Sequence, residues 1–281
     1  MAGAERCPRY KVIVNWDGDD ALAHAEAGMA KETFQEILFG GLEHTGVDCV
    51  FWNGNPGATA LYPSKVLELM GESEGLSRAT ALPGVSGVAG VQRWRSIANA
   101  KAMIARGEDP NTSAIEGARQ RGLGIWFSFR MNDQHGDPAD LPQLKRDHPE
   151  LTLGDGAPPW FATSYDYSHE AVRAHRLEMI REVAEGYDFD GIELDWQRHA
   201  HHLPVKEACE RTSPPRCLHS PNPSPNISPD LTPDRGAVGT DRLRYTLTDF
   251  MMGAREIIDA AAERRGRPLY LAARVGASKE G

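Results

Sequence analysis

Short, β-branched apolar segments alternate with segments of helical periodicity along this 281-residue chain. The predicted strands are 11–16, 47–52, 122–130, 188–196 and 268–275, and the predicted helices are 31–43, 111–121, 169–185 and 241–265. Strands that alternate with helices form parallel sheets through right-handed crossovers. The order therefore predicts an α/β fold with a parallel sheet, and the chain is long enough for the (β/α)8 barrel, which needs about 250 residues.

Five strand-helix units are too few to close an eight-stranded barrel. We expect residues 10–281 to form a partial or irregular barrel domain and the chain to be the N-terminal part of a longer protein. The alternative is a complete, irregular α/β sheet with weak strands in its connections. Three connections are predicted as loops: 82–91, 137–166 and 204–239. The last is Pro-rich and is either an insertion or a disordered loop.

Composition excludes several classes of protein. The formal net charge is −9 and no basic stripe is visible, which argues against nucleic-acid binding. No apolar run approaches the roughly 18 residues of a membrane span. The segment Met1–Arg9 lacks the apolar region of a secretory signal, so either the protein stays inside the cell or its signal lies outside this sequence.

The four cysteines show no metal-binding rhythm. Cys49 lies in a predicted buried strand and is expected to be a free core thiol. Cys209 and Cys217 flank a Pro-rich stretch, where a local disulfide and two free thiols remain equally open. The sequence predicts no cofactor.

The segment Phe189–Trp196 carries two carboxylates, Glu193 and Asp195, in an otherwise apolar strand. Because strand side chains alternate, both acids point to one face. Two acids on a buried face are costly unless they bond, bind a metal or react. The segment is therefore a candidate active site.

Polar side chains also follow the other predicted strands. Functional groups of parallel sheets gather at the carboxyl ends of the strands, so these side chains are expected to share one mouth. The candidate binding residues there are Asp17, Asp19, Asn53, Arg130, Asn132, Asp133, His135, Trp196, Arg198, His199 and Arg274.

Asp190-Gly191-Ile192-Glu193-Leu194-Asp195-Trp196 resembles the fourth-strand signature of TIM-barrel glycoside hydrolases. The segment 127–135 resembles the third-strand end of uncharacterised glycosyl-hydrolase-like proteins related to family 10. The likeness covers most of 10–203 and 240–275. It implies a barrel that hydrolyses glycosidic bonds, with a carbohydrate as its partner and no metal or cofactor.

Hydrolysis of a glycosidic bond uses two carboxyl groups. Glu193 is the candidate general acid, because an apolar strand would raise its pKa. Asp195 is expected to orient a sugar hydroxyl or to pair with an arginine, and Trp196 to stack on a sugar ring. The chitinase family also resembles this strand, but Gln197 stands where that family keeps its proton donor, and glutamine cannot supply a proton.

Two other functions stay open. Asp17, His135, Glu193 and Asp195 could converge on Zn²⁺ or Mn²⁺ in a metal-dependent hydrolase. A non-catalytic carbohydrate-binding barrel could use the same polar residues together with exposed tryptophans, for which the candidates are Trp52, Trp126, Trp160 and Trp196; Trp126 also suits the core.

Several candidates have a purely structural interpretation. Asp17, Asp19 and Asp20 suit the cap of a helix as well as a binding loop. Arg130 at a buried strand end is as suited to an ion pair with Glu193 or Asp195 as to substrate. A His-x-His-His run, 199–202, is typical of a solvated turn.

Overall fold

A computed structural model describes residues 8–56, 58–72, 88–133, 141–198, 201–204 and 238–276. Five parallel strands form a single sheet in the order β1-β2-β3-β4-β5. They are β1 (Ile13–Trp16), β2 (Cys49–Trp52), β3 (Gly124–Arg130), β4 (Gly191–Asp195) and β5 (Tyr270–Arg274). The α/β class and the parallel sheet are confirmed, and β1 and β5 are its two edges.

Seven α-helices lie in the described part of the chain. They are α1 (Gly18–Ala23), α2 (Lys31–Phe39), α3 (Val88–Ala105), α4 (Pro110–Gln120), α5 (Gln143–Asp147), α6 (Glu170–Gly186) and α7 (Val238–Arg265). Short 3₁₀ turns occupy Gly40–Leu42, Pro149–Leu151, Gly154–Gly156 and Pro159–Phe161. None of these helices combines the length and the apolar character of a membrane span.

Local chemistry fixes the start of α4. The Asp109 side chain accepts hydrogen bonds from the backbone N–H groups of Asn111, at 2.7 Å, and Thr112, and Pro110 occupies the first helical turn, where its missing N–H costs nothing. After the helix, Gly122 has a φ of +66°, a conformation that glycine adopts without strain. The chain then enters β3 directly.

One face of the sheet packs against the helices. Its side chains include Val50, Phe127 and Ile192, which belong to the large apolar core together with Phe34 of α2 and Ile180 of α6. The opposite face is polar at the carboxyl ends of the strands and aromatic below. There the Trp126 ring stacks on Phe51, with centroids 5.1 Å apart, and on Tyr270, at 6.2 Å. We call these three rings the aromatic floor.

Gly191 makes room for the aromatic floor. It pairs with Trp126 on one side and with Tyr270 on the other in the sheet register. A Cβ atom at Gly191 would lie 2.5 Å from the Trp126 ring. The glycine of the Asp190-Gly191 motif is therefore required because an indole covers it.

The structure adds to the prediction or corrects it in several places. The first predicted strand lies at an edge of the sheet, and Val12 and Ile13 are exposed. After it, where a helix cap and a binding loop were both open, lies helix α1, whose first turn holds Asp19 and Asp20, where a helix favours negative charge.

The predicted loop 82–91 is helical from Val88 onward, since α3 buries Ile97, Ala100 and Met103 against the core. The predicted loop 137–166 contains α5 and three 3₁₀ turns in its described part. Most of the Pro-rich segment, with Cys209 and Cys217, lies outside the described residues. Cys49 is buried in the core, as predicted.

Candidate functional site

The sheet register places alternating charges side by side at the carboxyl ends of three strands. Arg130 of β3 pairs with Asp195 of β4, which pairs with Arg274 of β5. One pleat lower, Ser128 pairs with Glu193, and Glu193 with Ala272. Neighbouring strands are about 4.8 Å apart, so these side chains meet on one face. Both predicted acids therefore lie on the polar face, above the aromatic floor.

The Glu193 carboxylate is held by three side chains. Ser128 Oγ donates to Oε2 at 2.5 Å, and Asn15 Nδ2 donates to the same oxygen at 3.4 Å. Arg274 approaches side-on, with Nε 3.0 Å from Oε1 and Nη2 3.2 Å from Oε2. Arg274 therefore satisfies both oxygens of an acid that is 4% exposed.

Asp195 joins the ends of β4 and β5. Its Oδ1 accepts hydrogen bonds from the backbone N–H groups of Gln197, at 2.9 Å, and Arg198, at 3.2 Å. Its Oδ2 accepts a hydrogen bond from Arg274 Nη1 at 3.1 Å. One guanidinium thus bridges both acids, which realises the predicted arginine pairing of Asp195.

A chain of ion pairs runs across the carboxyl ends of the strands, which we call the carboxyl edge of the sheet. Arg130 Nη2 lies 2.7 Å from Asp17 Oδ1, and Arg130 Nη1 lies 2.7 Å from Asp133 Oδ2. Asp133 Oδ1 in turn lies 3.3 Å from Arg198 Nε. Arg130 is therefore bound in an ion pair, but to Asp17 and Asp133 rather than to Glu193 or Asp195 as expected.

The polar side chains on this face, which we call the polar layer, continue beyond the end of β2 with two asparagines. Asn53 Nδ2 donates to the Ser128 carbonyl at 2.8 Å and to Asn55 Oδ1 at 3.1 Å. Asn53 is fully buried, and its Oδ1 has no hydrogen-bond partner within the part of the chain that the structure describes. A buried amide oxygen without a donor is costly. The oxygen therefore needs a donor, which a buried water could supply.

Burial sets the protonation of two acids at this edge. It raises the pKa of Glu193 above its usual value, although the Ser128 hydrogen bond and Arg274 act in the opposite direction. Burial, reinforced by the neighbouring Asp17 and Asp20, raises the pKa of Asp19 to about 6. Both carboxyl groups are therefore shifted toward the pH range of acid-base chemistry.

Asn132 follows β3 and connects the loop that contains Tyr165 to the loop that contains His201. Its Nδ2 donates to the carbonyls of Tyr165, at 2.9 Å, and His201, at 2.7 Å, while its Oδ1 accepts from the Tyr165 N–H at 2.7 Å. Its amide therefore already binds backbone groups on both loops.

Trp196 is in the core rather than at the mouth. Its ring packs edge-to-face on Tyr167, His202 and Phe250, with centroids 5.0–5.5 Å apart. Trp52 is also buried, at 0% exposure, so Trp52 and Trp196 are not the exposed platforms that were expected, whereas Trp126, at 3%, is in the core as its alternative interpretation had it. Strand alternation explains Trp196, because it faces away from its neighbour Asp195.

The histidine run is only partly described. His135 and His199 lie outside the described residues. His202 is not in a solvated turn: its Nε2 donates to the Trp196 carbonyl at 2.8 Å, and burial lowers its pKa to about 4. No group of three or more His, Cys, Asp or Glu side chains within the described ranges is arranged to hold a metal.

Sequence reasoning missed three polar residues of this region. Ser128 and Asn15 contribute to the polar layer, and the period-two alternation of β1 and β3 could have revealed both. Arg176 of α6 is fully buried and donates to the Met131 carbonyl at 2.8 Å. The helical pattern of residues 169–185 did not indicate that Arg176 is buried, because arginine is normally exposed.

A cavity of about 550 Å³ lies at the opposite, N-terminal end of the strands. Its walls include Asp190 and Arg119, which form a two-point ion pair at 2.6 and 2.9 Å, and Arg267, which also contacts Asp188. Asp190 further accepts a hydrogen bond from the Ile125 N–H. These contacts tie β3, β4 and β5 together at their starts, which is a structural role.

No protein-family model matches the sequence, and no curated protein matches it. Among solved structures, an alpha-L-fucosidase isoenzyme 2 from Paenibacillus thiaminolyticus aligns with a TM-score of 0.47 at 17% identity, over 92% of this chain and 32% of its own. A maltogenic alpha-amylase from Thermotoga neapolitana gives 0.45 at 13%, over 93% and 45%.

A GH36 alpha-galactosidase from Geobacillus stearothermophilus gives 0.41 at 15%, over 93% and 27%. The chain thus spans less than half the length of each of these three structures. Identities and TM-scores this low assign no activity to this chain. Its function has to be inferred from its own site residues.

Proposed function

We propose that the carboxyl edge of the sheet is the active site of a glycoside hydrolase, with Glu193 as the general acid. The observation that carries this proposal is the placement of Glu193: a buried carboxyl group with a raised pKa, on the polar face of a parallel sheet and near the carboxyl end of a central strand. A protonated Glu193 would give its proton to the leaving glycosidic oxygen.

Asp195 supports the acid in this proposal. It lies two residues closer to the rim on the same face and holds Arg274 against Glu193. Asp17 and Asp19, which are only partly buried, would bind sugar hydroxyl groups at the end of β1.

We also propose that residues 10–281 form a barrel-type domain that further strands would close. The strands follow each other in sequence order, and one face of the sheet is covered by helices. Both edge strands carry exposed apolar residues, Ile13 on β1 and Val275 just after β5. Additional strands between these edges would cover them.

Replacement of Glu193 by glutamine tests the enzymatic proposal. The test measures turnover of a panel of disaccharides and methyl glycosides, whose alcohol leaving groups need a proton, with the wild type, Glu193→Gln and the surface control Glu178→Gln. We expect Glu193→Gln to lose at least about 100-fold in turnover, the scale of general acid catalysis, while saccharide binding persists. Unchanged turnover in Glu193→Gln would overturn the assignment.

A second function, carbohydrate binding without cleavage, is favoured by one observation. Both Glu193 oxygens already accept hydrogen bonds or ion-pair contacts, so the proton needed for acid catalysis competes with Arg274. Saturable saccharide binding by the wild type, with no release of reducing ends, would support this function instead.

A further inference from the structure

At this edge of the sheet the arginines face solvent and the carboxylates lie beneath them. The Arg198 side chain is 40% exposed while its partner Asp133 is 1% exposed. Arg274 is 33% exposed while Glu193 and Asp195 are 5% and 6% exposed. A ligand that approaches the edge therefore meets guanidinium groups first.

The carboxylates are covered more completely here than at the strand starts. There Arg119 is 39% exposed and its partner Asp190 is 17% exposed, whereas Asp133, Glu193 and Asp195 are all below 10%. On the surface of α7, the Arg255–Asp259 pair has the carboxylate more exposed, 66% against 41%. Arg198 and Arg274 thus present positive charge to solvent on a chain whose formal net charge is −9.

Both arginines keep hydrogen-bond donors available. A guanidinium has five N–H donors. Arg274 directs one nitrogen each to Glu193 Oε1, Glu193 Oε2 and Asp195 Oδ2, which leaves the second N–H of both Nη atoms. Within the described residues Arg198 uses only Nε, toward Asp133, and its backbone N–H is bound to Asp195.

Asp195 links the two arginines, since its two oxygens bind the Arg198 backbone and the Arg274 guanidinium. Asp17 is the exception to the pattern, because it is more exposed than its partner Arg130, 30% against 9%. Asp17 belongs to the β1 end of the edge, so cationic and anionic groups face solvent at different ends of the site.

We propose that the site selects a saccharide with a negatively charged substituent, a carboxylate or a sulfate, which Arg198 and Arg274 bind. This deepens the proposed function and rests on its assignment of the site to carbohydrate. Planar guanidinium groups bind carboxylate and sulfate through paired N–H donors, and the partly covered acids beneath hold the arginines in place. Hydroxyl groups of the same sugar would face Asp17, whose side chain is 30% exposed.

The test is a binding titration with the full chain by isothermal calorimetry. The probes are glucuronate, galacturonate and mannuronate, the 6-sulfates of glucose and galactose, and the neutral parent sugars. The variants are Arg198→Gln, Arg274→Lys and the surface control Arg181→Gln. Arg198→Gln removes a half-exposed side chain and is expected to fold, whereas Arg274→Lys preserves the buried charge balance.

We expect at least one uronate or sugar sulfate to bind about tenfold or more tightly than its neutral parent. The affinity for that probe should fall about tenfold in Arg198→Gln and stay unchanged in Arg181→Gln. Preference for uronates over sulfates identifies the substituent as a carboxylate, and the reverse preference identifies a sulfate. Equal or tighter binding of neutral sugars, an unchanged affinity in Arg198→Gln, or no saccharide binding overturns the proposal.

The two proposals fail in distinguishable ways. Charge-selective binding without turnover of any glycoside contradicts the hydrolase assignment and leaves this inference standing. Turnover of neutral glycosides without any preference for charged sugars contradicts this inference and leaves the hydrolase assignment standing.

Discussion

The Arg274 guanidinium lies side-on to the Glu193 carboxylate, with Nε 3.0 Å from Oε1 and Nη2 3.2 Å from Oε2. We expect Arg274→Gln to lower the free energy of unfolding at pH 7 by about 3 kcal/mol, because it leaves a buried acid without its cation. The loss should shrink at pH 5, since the pKa of Glu193 is already raised and rises further without Arg274. Urea unfolding at both pH values measures it.

The double variant Glu193→Gln/Arg274→Gln is the control, because it removes both charges. It should be more stable at pH 7 than Arg274→Gln alone. Equal stability of the two variants would show that the ion pair is not the source of the loss.

Gly191→Ala should destabilise the protein by about 2 kcal/mol, since the new methyl group overlaps the Trp126 ring and well-packed interiors tolerate little added volume. Gly186→Ala is the matched control, because nothing lies within 4 Å of a Cβ atom there. Thermal unfolding compares the two, and tryptophan fluorescence reports displacement of the indole. An equal effect of both substitutions would contradict the steric explanation.

Two histidines should make the protein less stable in acid. Burial, with Arg176 nearby, lowers the pKa of His175 to about 4, and burial lowers that of His202 to about 4. The unfolded chain binds these protons from about pH 6.5 downward, so stability falls as the pH drops from about 6.5 to 4. Urea unfolding of wild type, His175→Gln and His202→Gln across this window should show a shallower fall in each variant.

Asp19 works in the opposite sense. Its pKa is raised to about 6, so the folded state binds a proton that the unfolded state still lacks, and its contribution to stability grows as the pH falls from about 6 toward 4. Asp19→Asn should therefore gain stability relative to wild type at pH 7 and lose that advantage near pH 4. A constant difference across this range would refute the shifted pKa.

Asn132→Asp should loosen the loops around Tyr165 and His201, because a carboxylate cannot donate to their carbonyls. We expect a loss of about 3 kcal/mol, the cost of unsatisfied buried groups. Hydrogen exchange should accelerate at Tyr165 and Tyr167, whereas β2 should stay protected. Unchanged exchange at Tyr165 would indicate that the loops do not depend on this amide.

Local sequence pattern predicted the sheet well, because β2, β3 and β4 are short apolar runs between clear turns. It also placed Glu193 and Asp195 on one face, since strand alternation is a local property. The helix at Val88–Ala105 was missed because its helix formers follow a glycine-rich stretch, and its stability comes from packing against the core.

Partner choice in the site could not be predicted, because it depends on three-dimensional neighbours. Arg130 had several possible partners in sequence, and the fold gives it Asp17 and Asp133. Trp196 suggested a sugar platform by its position after the acids, but the face it occupies is covered by Phe250 of α7. Its burial is set by a helix about fifty residues away.

The aromatic floor separates the two ends of the polar face. Phe51, Trp126 and Tyr270 stack between the polar layer of Glu193 and the cavity at the strand starts. The polar layer and the cavity are therefore separate regions of the molecule, and neither extends the other.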